Sequence, residues 1–227
     1  MYKEYKVEEM KRKLAKAGFR PFDVMVVGNT GAGKSSTLNS LFGSEIAKVG
    51  RGVDPETMDI ECYKLNQEIR FWDTPGLGDG VEKDKEHEKK LLDLLYKTYS
   101  MDGRTYGFID MVLVIVEGCN RDMGTTYKLM NEIIVPHIQQ SRIVVAINQA
   151  DVSMKGLHWK KENNCPDKTL QQYLEEQAYS IQRRVQEATG TKIEKPIYYS
   201  AEKEYNIMEF YDMLIRNLPV ERRTISV

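Results

Sequence analysis

The sequence predicts an α/β fold: a mostly parallel six-stranded sheet with helices on both faces and an extra amphipathic helix at the N-terminus. Strand-sized apolar runs alternate with helical patterns along nearly the whole chain. Most of those runs are continuous rather than alternating, as in strands buried on both faces. A glycine-rich turn, Gly28-Asn-Thr-Gly-Ala-Gly-Lys-Ser35, joins the first run directly to a helix. The length of 227 residues suits one sizeable α/β domain.

The elements follow in order. Val7, Met10, Leu14 and Ala17 recur at helical spacing, and Gly18 and Pro21 stop the pattern. Asp23 to Gly28 reads as a buried strand, and Lys34 to Phe42 as the helix after the turn. Ser44 to Glu56 reads as a loop. Met58–Leu65 and Glu68–Trp72 read as an antiparallel pair joined at Asn66-Gln67. A charged helix is expected over Glu82–Tyr99, burying Leu91, Leu92, Leu94 and Leu95. Then come a strand at Ile109–Val116, a helix at Thr125–His137 and a strand at Arg142–Asn148. A polar, turn-rich stretch covers Val152–Asp167. A long helix, Thr169–Thr189, ends at Gly190. Pro196–Tyr199 is a short strand and Glu204–Asn217 a closing helix.

Composition narrows the function. Lys plus Arg is 33 against Asp plus Glu at 34, so the charge implies no general attraction to nucleic acid or anionic membrane. The three cysteines, Cys62, Cys119 and Cys165, are odd in number and widely spaced. Reduced thiols in a cytoplasmic setting are expected. The segment Met1–Lys13 is rich in Lys and Glu, unlike a signal peptide.

Gly28 to Ser35 matches the full P-loop pattern in its proper setting, after a strand and before a helix. The backbone N–H groups of Asn29, Thr30, Gly31, Ala32 and Gly33 are expected to turn inward around phosphate oxygens, aided by the positive end of the helix. Lys34 places a cation on the β- and γ-phosphates. Ser35 offers a hydroxyl to Mg²⁺, and Ser36 a further phosphate contact.

Asp73-Thr-Pro-Gly76 closes a strand. An Asp there can hold the Mg²⁺ shell through water, and the Gly76 N–H can meet a γ-phosphate. A plain strand-ending turn is the other reading of Thr-Pro-Gly; beside a P-loop the functional one prevails. Asn148-Gln-Ala-Asp151 ends the run Ile143–Ile147. A carboxylate at Asp151 can accept from both N1–H and N2–H₂ of guanine. Adenine lacks that donor pair, which is worth discrimination of about 10⁴ or more. Asn148 is expected to tie the base edge to the P-loop.

These segments together, GNTGAGKS, DTPG and NQAD, resemble the Era-like small GTPases of the translation-factor class. The closer similarity is to a bacterial subgroup with the Asn-Gln-Ala-Asp variant, in which Gln149 replaces the usual Lys. The resemblance spans Pro21 to Leu218 and implies a G domain over 21–218, with a leading helix over 1–20 and a tail over 219–227. It implies GTP/GDP and Mg²⁺ as ligands. By the same resemblance Ser200-Ala201-Glu202 is the base-contacting loop after the last strand, with the Ala201 N–H on guanine O6. Thr57, the lone threonine between Ser44 and Leu65, is assigned to Mg²⁺ when γ-phosphate is present; a strand-entry Thr is its bland alternative.

Many relatives orient the attacking water with a Gln just after the Asp-x-x-Gly motif. Leu77 stands there and cannot do so. Hydrolysis is therefore expected to be slow, about 10⁻⁴ to 10⁻² s⁻¹, with Lys34, Thr57 and Gly76 as its residues. Gly31 stands where K⁺-dependent relatives carry an Asn, so K⁺ activation is not expected. Arg51 reads either as an arginine finger or as a solvated loop residue. Metal binding by His158 and Cys165 lacks a second ligand pair, and Trp159 is expected to pack over its loop or near the base site. The overall expectation is a slow GTP-hydrolysing switch with an unnamed protein effector; some relatives dimerise across the nucleotide face. The alternative is a non-hydrolysing GTP/GDP-binding assembly module. An ATPase is disfavoured by Asp151.

Overall fold

The computed structural model describes residues 5–18, 21–42, 60–65, 68–78, 80–119 and 124–225. Helix α1 spans Val7–Ala17 and stops at Gly18, whose φ of 77° lets its N–H turn back to Ala15 O. Strand β1 (Phe22–Val27) runs through the glycine turn into α2 (Lys34–Phe42). Strands β2 (Glu61–Lys64) and β3 (Ile69–Asp73) pair antiparallel. Their connection at 66–67 lies outside the described residues, as do 43–59, with Arg51 and Thr57. The sheet continues with β6 (Met111–Glu117), β7 (Ile143–Asn148) and β10 (Ile197–Tyr198). Its order is β10-β7-β6-β1-β3-β2, parallel except for β2 with β3.

Helices cover both faces. Val24 and Val26 of β1 face α1, α2 and α6 (Ile207–Arg216), meeting Leu14, Leu38 and Phe210. Met25 and Val27 face the other way, toward α3 (Val81–Tyr96) and α5 (Lys168–Thr189), with Leu91 and Leu174. This alternation is the period-two pleat of a strand buried on both sides. Leu38 and Leu174 are each 0% exposed, and full burial of such a side chain stabilises by about 2 kcal/mol.

The structure corrects the expected elements at several places. The helix expected to reach Tyr99 ends at Tyr96, and the chain forms a hairpin, β4 (Thr98–Met101) with β5 (Arg104–Gly107). Asp102 (φ 53°) and Gly103 (φ 72°) make its two-residue turn, the conformation that Asp-Gly favours. The helix expected over 125–137 is α4 (Gly124–Lys128) followed by a π-helical turn, Leu129–Ile134, in which the Val135 N–H reaches Met130 O. The closing helix starts at Ile207 rather than Glu204, because Glu204 and Asn206 adopt φ of 50° and 58°. Within 152–167 lie a short 3₁₀ turn (Ser153–Gly156) and a small hairpin, β8 (Trp159–Lys160) with β9 (Cys165–Pro166). Trp159 packs edge-on against Tyr205 at 5.2 Å. His158 pairs with Asp167 Oδ2 at 2.8 Å.

The stretch after Leu218, expected as a tail, lies along β5. The Gly107 N–H donates to Arg223 O and the Ile225 N–H to Thr105 O. The Arg223 side chain enters the protein and donates to Leu95 O (2.7 Å) and His137 O (3.1 Å). Among the described residues no helix is long and apolar enough to cross a membrane.

Candidate functional site

Four loops meet where the parallel strands end, the edge at which open α/β sheets bind ligands. They are the glycine turn after β1, the 74–78 turn after β3, residues 148–153 after β7 and residues 199–205 after β10.

Asn148 connects three of them. Its carboxamide, 2% exposed, donates through Nδ2 to Ala32 O and accepts at Oδ1 from the Ala201 N–H, each at 3.0 Å. Ala201 N–H, expected on guanine O6, is thus held by Asn148 in this structure. Gly33 must be glycine here: φ is 82°, and a Cβ would lie 2.3 Å from Asn148 Nδ2. Gln149, at φ 64°, donates from Nε2 to Gly31 O at 2.7 Å, so the residue in the usual Lys place also ties the base motif to the P-loop. Ser200 Oγ accepts from the Lys203 N–H. Asp151 is buried at 7% exposure beside this junction. Behind it, Thr37 Oγ1 donates to Gly33 O and lies 2.7 Å from the Tyr199 hydroxyl, fixing α2 to the loop after β10.

The phosphate side is equally ordered. The Lys34 ammonium, buried within the loop, donates to Gly28 O and Asn29 O at 3.2 Å each. The Ser35 hydroxyl donates to Asp73 Oδ2 at 2.6 Å. Burial pushes the Asp73 carboxyl above its ordinary range, with the Ser35 hydrogen bond and the Lys34 charge pulling the other way. Asp73 Oδ1 is buried with no hydrogen-bond partner among the described residues. The Ser35 hydroxyl and the Asp73 carboxylate, with Oδ1 orphaned, form an all-oxygen donor set that fits a hard divalent cation. Asn29 Oδ1 accepts from Thr126 Oγ1, whereas Thr30 and Ser36 are exposed.

The 76–78 turn lies on the phosphate loop. The Thr30 N–H donates to Leu77 O at 2.9 Å, and a Cβ on Gly76 would come within 2.5 Å of Thr30 N. The Leu77 side chain points into the core and is 2% exposed. Glu117, at the end of β6, is the acidic group that sequence reasoning missed. Burial raises its carboxyl pKa, and the Lys34 charge opposes this. No local motif marks Glu117; its place follows from β6 lying beside β1. His87, which contacts Gly76 O in the 76–78 turn, was also missed.

The model of a family described as "50S ribosome-binding GTPase" matches residues 23–184. Among curated proteins, neuronal-specific septin-3 of Danio rerio is 33% identical over 90 residues, covering 34% of this chain and 25% of that protein. Human septin-9 is 36% identical over 92 residues, covering 34% of this chain and 15% of the relative. The match therefore takes in a quarter or less of those relatives' length. Among solved structures, Toc33 from Arabidopsis thaliana with Mg²⁺ and GMPPNP aligns at a TM-score of 0.63 and 16% identity, covering 99% of this chain and 95% of that one. The G domain of the T. maritima FeoB iron transporter aligns at 0.52 and 17%, covering 87% and 99%. Both likenesses show the fold.

Proposed function

We propose, from the premise that this chain belongs to the 50S ribosome-binding GTPase family, that it is a Mg²⁺-dependent guanine-nucleotide switch that turns over slowly. The finer placement among Era-like GTPases with an Asn-Gln-Ala-Asp base motif is part of this proposal. The observation that carries the reading is the Asn148 junction. One buried carboxamide joins the P-loop to the loop after β10, next to the buried Asp151. That arrangement supports a base site held at a fixed distance from the phosphate site.

Each group has a task. Asp151 accepts from the guanine N1–H and N2–H₂, and Asn148 and Gln149 keep that strand end on the P-loop. Lys34 exchanges its two carbonyl partners for phosphate oxygens and offsets charge on the transferring phosphoryl. Ser35 directly, and Asp73 through water, would hold Mg²⁺, which neutralises phosphate charge when bound. The Gly76 N–H faces the third phosphate. The buried Leu77 side chain orients no water, which supports a slow rate.

Thr57 belongs to the metal site on this reading and lies outside the described residues. We place the protein in the cytoplasm, where its three free cysteines stay reduced, and assign it a protein effector and a homodimer across the nucleotide face.

Calorimetry of the Mg²⁺-loaded protein with GDP and ADP tests the base assignment. GDP is expected to bind about 10⁴-fold or more tightly than ADP, and Asp151→Asn to transfer that preference to xanthosine diphosphate. Equal heats for the two natural diphosphates sink the proposal. Single-turnover hydrolysis with wild type and Lys34→Ala separates the slow enzyme from a module that binds without hydrolysing.

A further inference from the structure

The first turns of α3 touch the nucleotide site at two points that the proposed chemistry does not use. His87 Nδ1 lies 2.7 Å from Gly76 O. A carbonyl only accepts, so Nδ1 carries the proton and donates. Asp84 Oδ1 accepts from the Gly78 N–H at 2.9 Å. Positions 84 and 87 are three apart and share one helix face. They are half-buried, whereas Glu82, Lys83, Lys85 and Glu86 around them are exposed.

On the opposite side the Thr30 N–H holds Leu77 O. Below, the Leu77 side chain is anchored in the same core cluster as Leu91 of α3. The 76–78 turn is therefore gripped from the phosphate loop, from the core and from α3.

We infer that Asp84 and His87 are positioning residues that hold this turn against the phosphate loop and so set how strongly the site prefers a nucleoside triphosphate to a diphosphate. This rests on the nucleotide reading above. Gly76 is the only residue of the turn whose N–H is aimed at a γ-phosphate in that reading, and as a glycine it has the most backbone freedom to lose. The His87 bond to Gly76 O and the Asp84 bond to the Gly78 N–H remove that freedom in advance. Preorganisation of this kind favours a ligand that contacts the turn and leaves one that does not unaffected. A nucleoside triphosphate reaches Gly76; a diphosphate ends short of it.

The test measures the ratio of affinities for a non-hydrolysable GTP analogue and GDP, by calorimetry, on the full chain. Single-turnover GTP hydrolysis is measured beside it. His87→Ala is expected to weaken the analogue about tenfold and slow hydrolysis comparably, while GDP stays within about twofold. Asp84→Ala should act in the same direction. His87→Asn, which can present an amide N–H where Nδ1 stands, should restore most of the ratio. An unchanged ratio in His87→Ala overturns the inference, and so does an equal loss for both nucleotides, which assigns His87 to general stability. Wild-type protein that binds neither nucleotide removes the functional reading first. Wild type that distinguishes them while all three variants match it removes this inference alone.

Discussion

Asn148 shows how much one side chain can carry. Its amide is buried and donates to Ala32 O while its oxygen accepts from the Ala201 N–H. Asn148→Ala leaves both backbone groups without a partner, which costs about 2 kcal/mol or more. The expected outcome is a lower urea midpoint together with weaker GDP binding, because the loops that hold base and phosphate come apart. A loss of affinity with unchanged stability would contradict the junction. Gly33→Ala attacks the same bond from the other side, since its Cβ would lie 2.3 Å from Asn148 Nδ2. The two substitutions are therefore expected to be less than additive: removing Asn148 relieves the clash, while the strain of an alanine at φ 82° remains. Fully additive effects would mean that Gly33 matters through its backbone conformation alone. Both residues were legible in the sequence, since each sits in a motif. The Ala201 bond was legible only as a motif assignment, and its actual partner is a side chain 53 positions away.

At the scale of elements, the strands of the sheet were readable: β1, β6 and β7 are largely apolar runs, and β2, β3 and β10 are short segments bounded by turn residues. The hairpin of β4 and β5 was not, because its exposed Thr98, Met101 and Arg104 carry no inward-facing pattern. Its signal was Asp102-Gly103, a hairpin turn hidden behind a charged helix. The role of Arg223 was equally hidden: nothing near it in sequence marks a buried position. Yet it is 3% exposed and closes the carbonyl ends at Leu95 and His137. Burial lowers its guanidinium pKa, while the Asp110 charge opposes this. Arg223→Ala removes a charged donor from a buried carbonyl at Leu95 and a half-buried one at His137, and is expected to destabilise by about 3 kcal/mol. It leaves the nucleotide site, at the other end of the strands, with unchanged GDP affinity. A large change in affinity without a change in melting temperature would refute this division of labour.

The whole molecule has two poles, and they answer to different variables. Nucleotide chemistry lies where the strands end. Where they begin, Asp23 accepts from Arg70 and from Trp72 Nε1, and the Asp23 N–H donates to Asp110 Oδ2. Arg142, 4% exposed, donates to Asp110 O. Burial above all pushes the Asp110 carboxyl up to about 7 from 3.8; the charge of Asp23 adds to this, and the Asp23 N–H, Arg142 and Arg223 oppose it. Between those values the native chain holds a proton that the unfolded chain has released. This contribution to stability is therefore complete below about pH 4 and is lost as pH rises through about 7, at up to about 1.4 kcal/mol per pH unit. Asp110→Asn keeps an acceptor for the Asp23 N–H but cannot ionise. Relative to wild type, the variant is expected to gain stability between pH 5 and pH 8 in urea unfolding, a comparison in which groups titrating alike in both proteins cancel. A difference between the two proteins that stays constant over that range would show that Asp110 is ionised in the native state throughout. GDP affinity, governed by the opposite pole, is expected to be the same for both proteins at each pH.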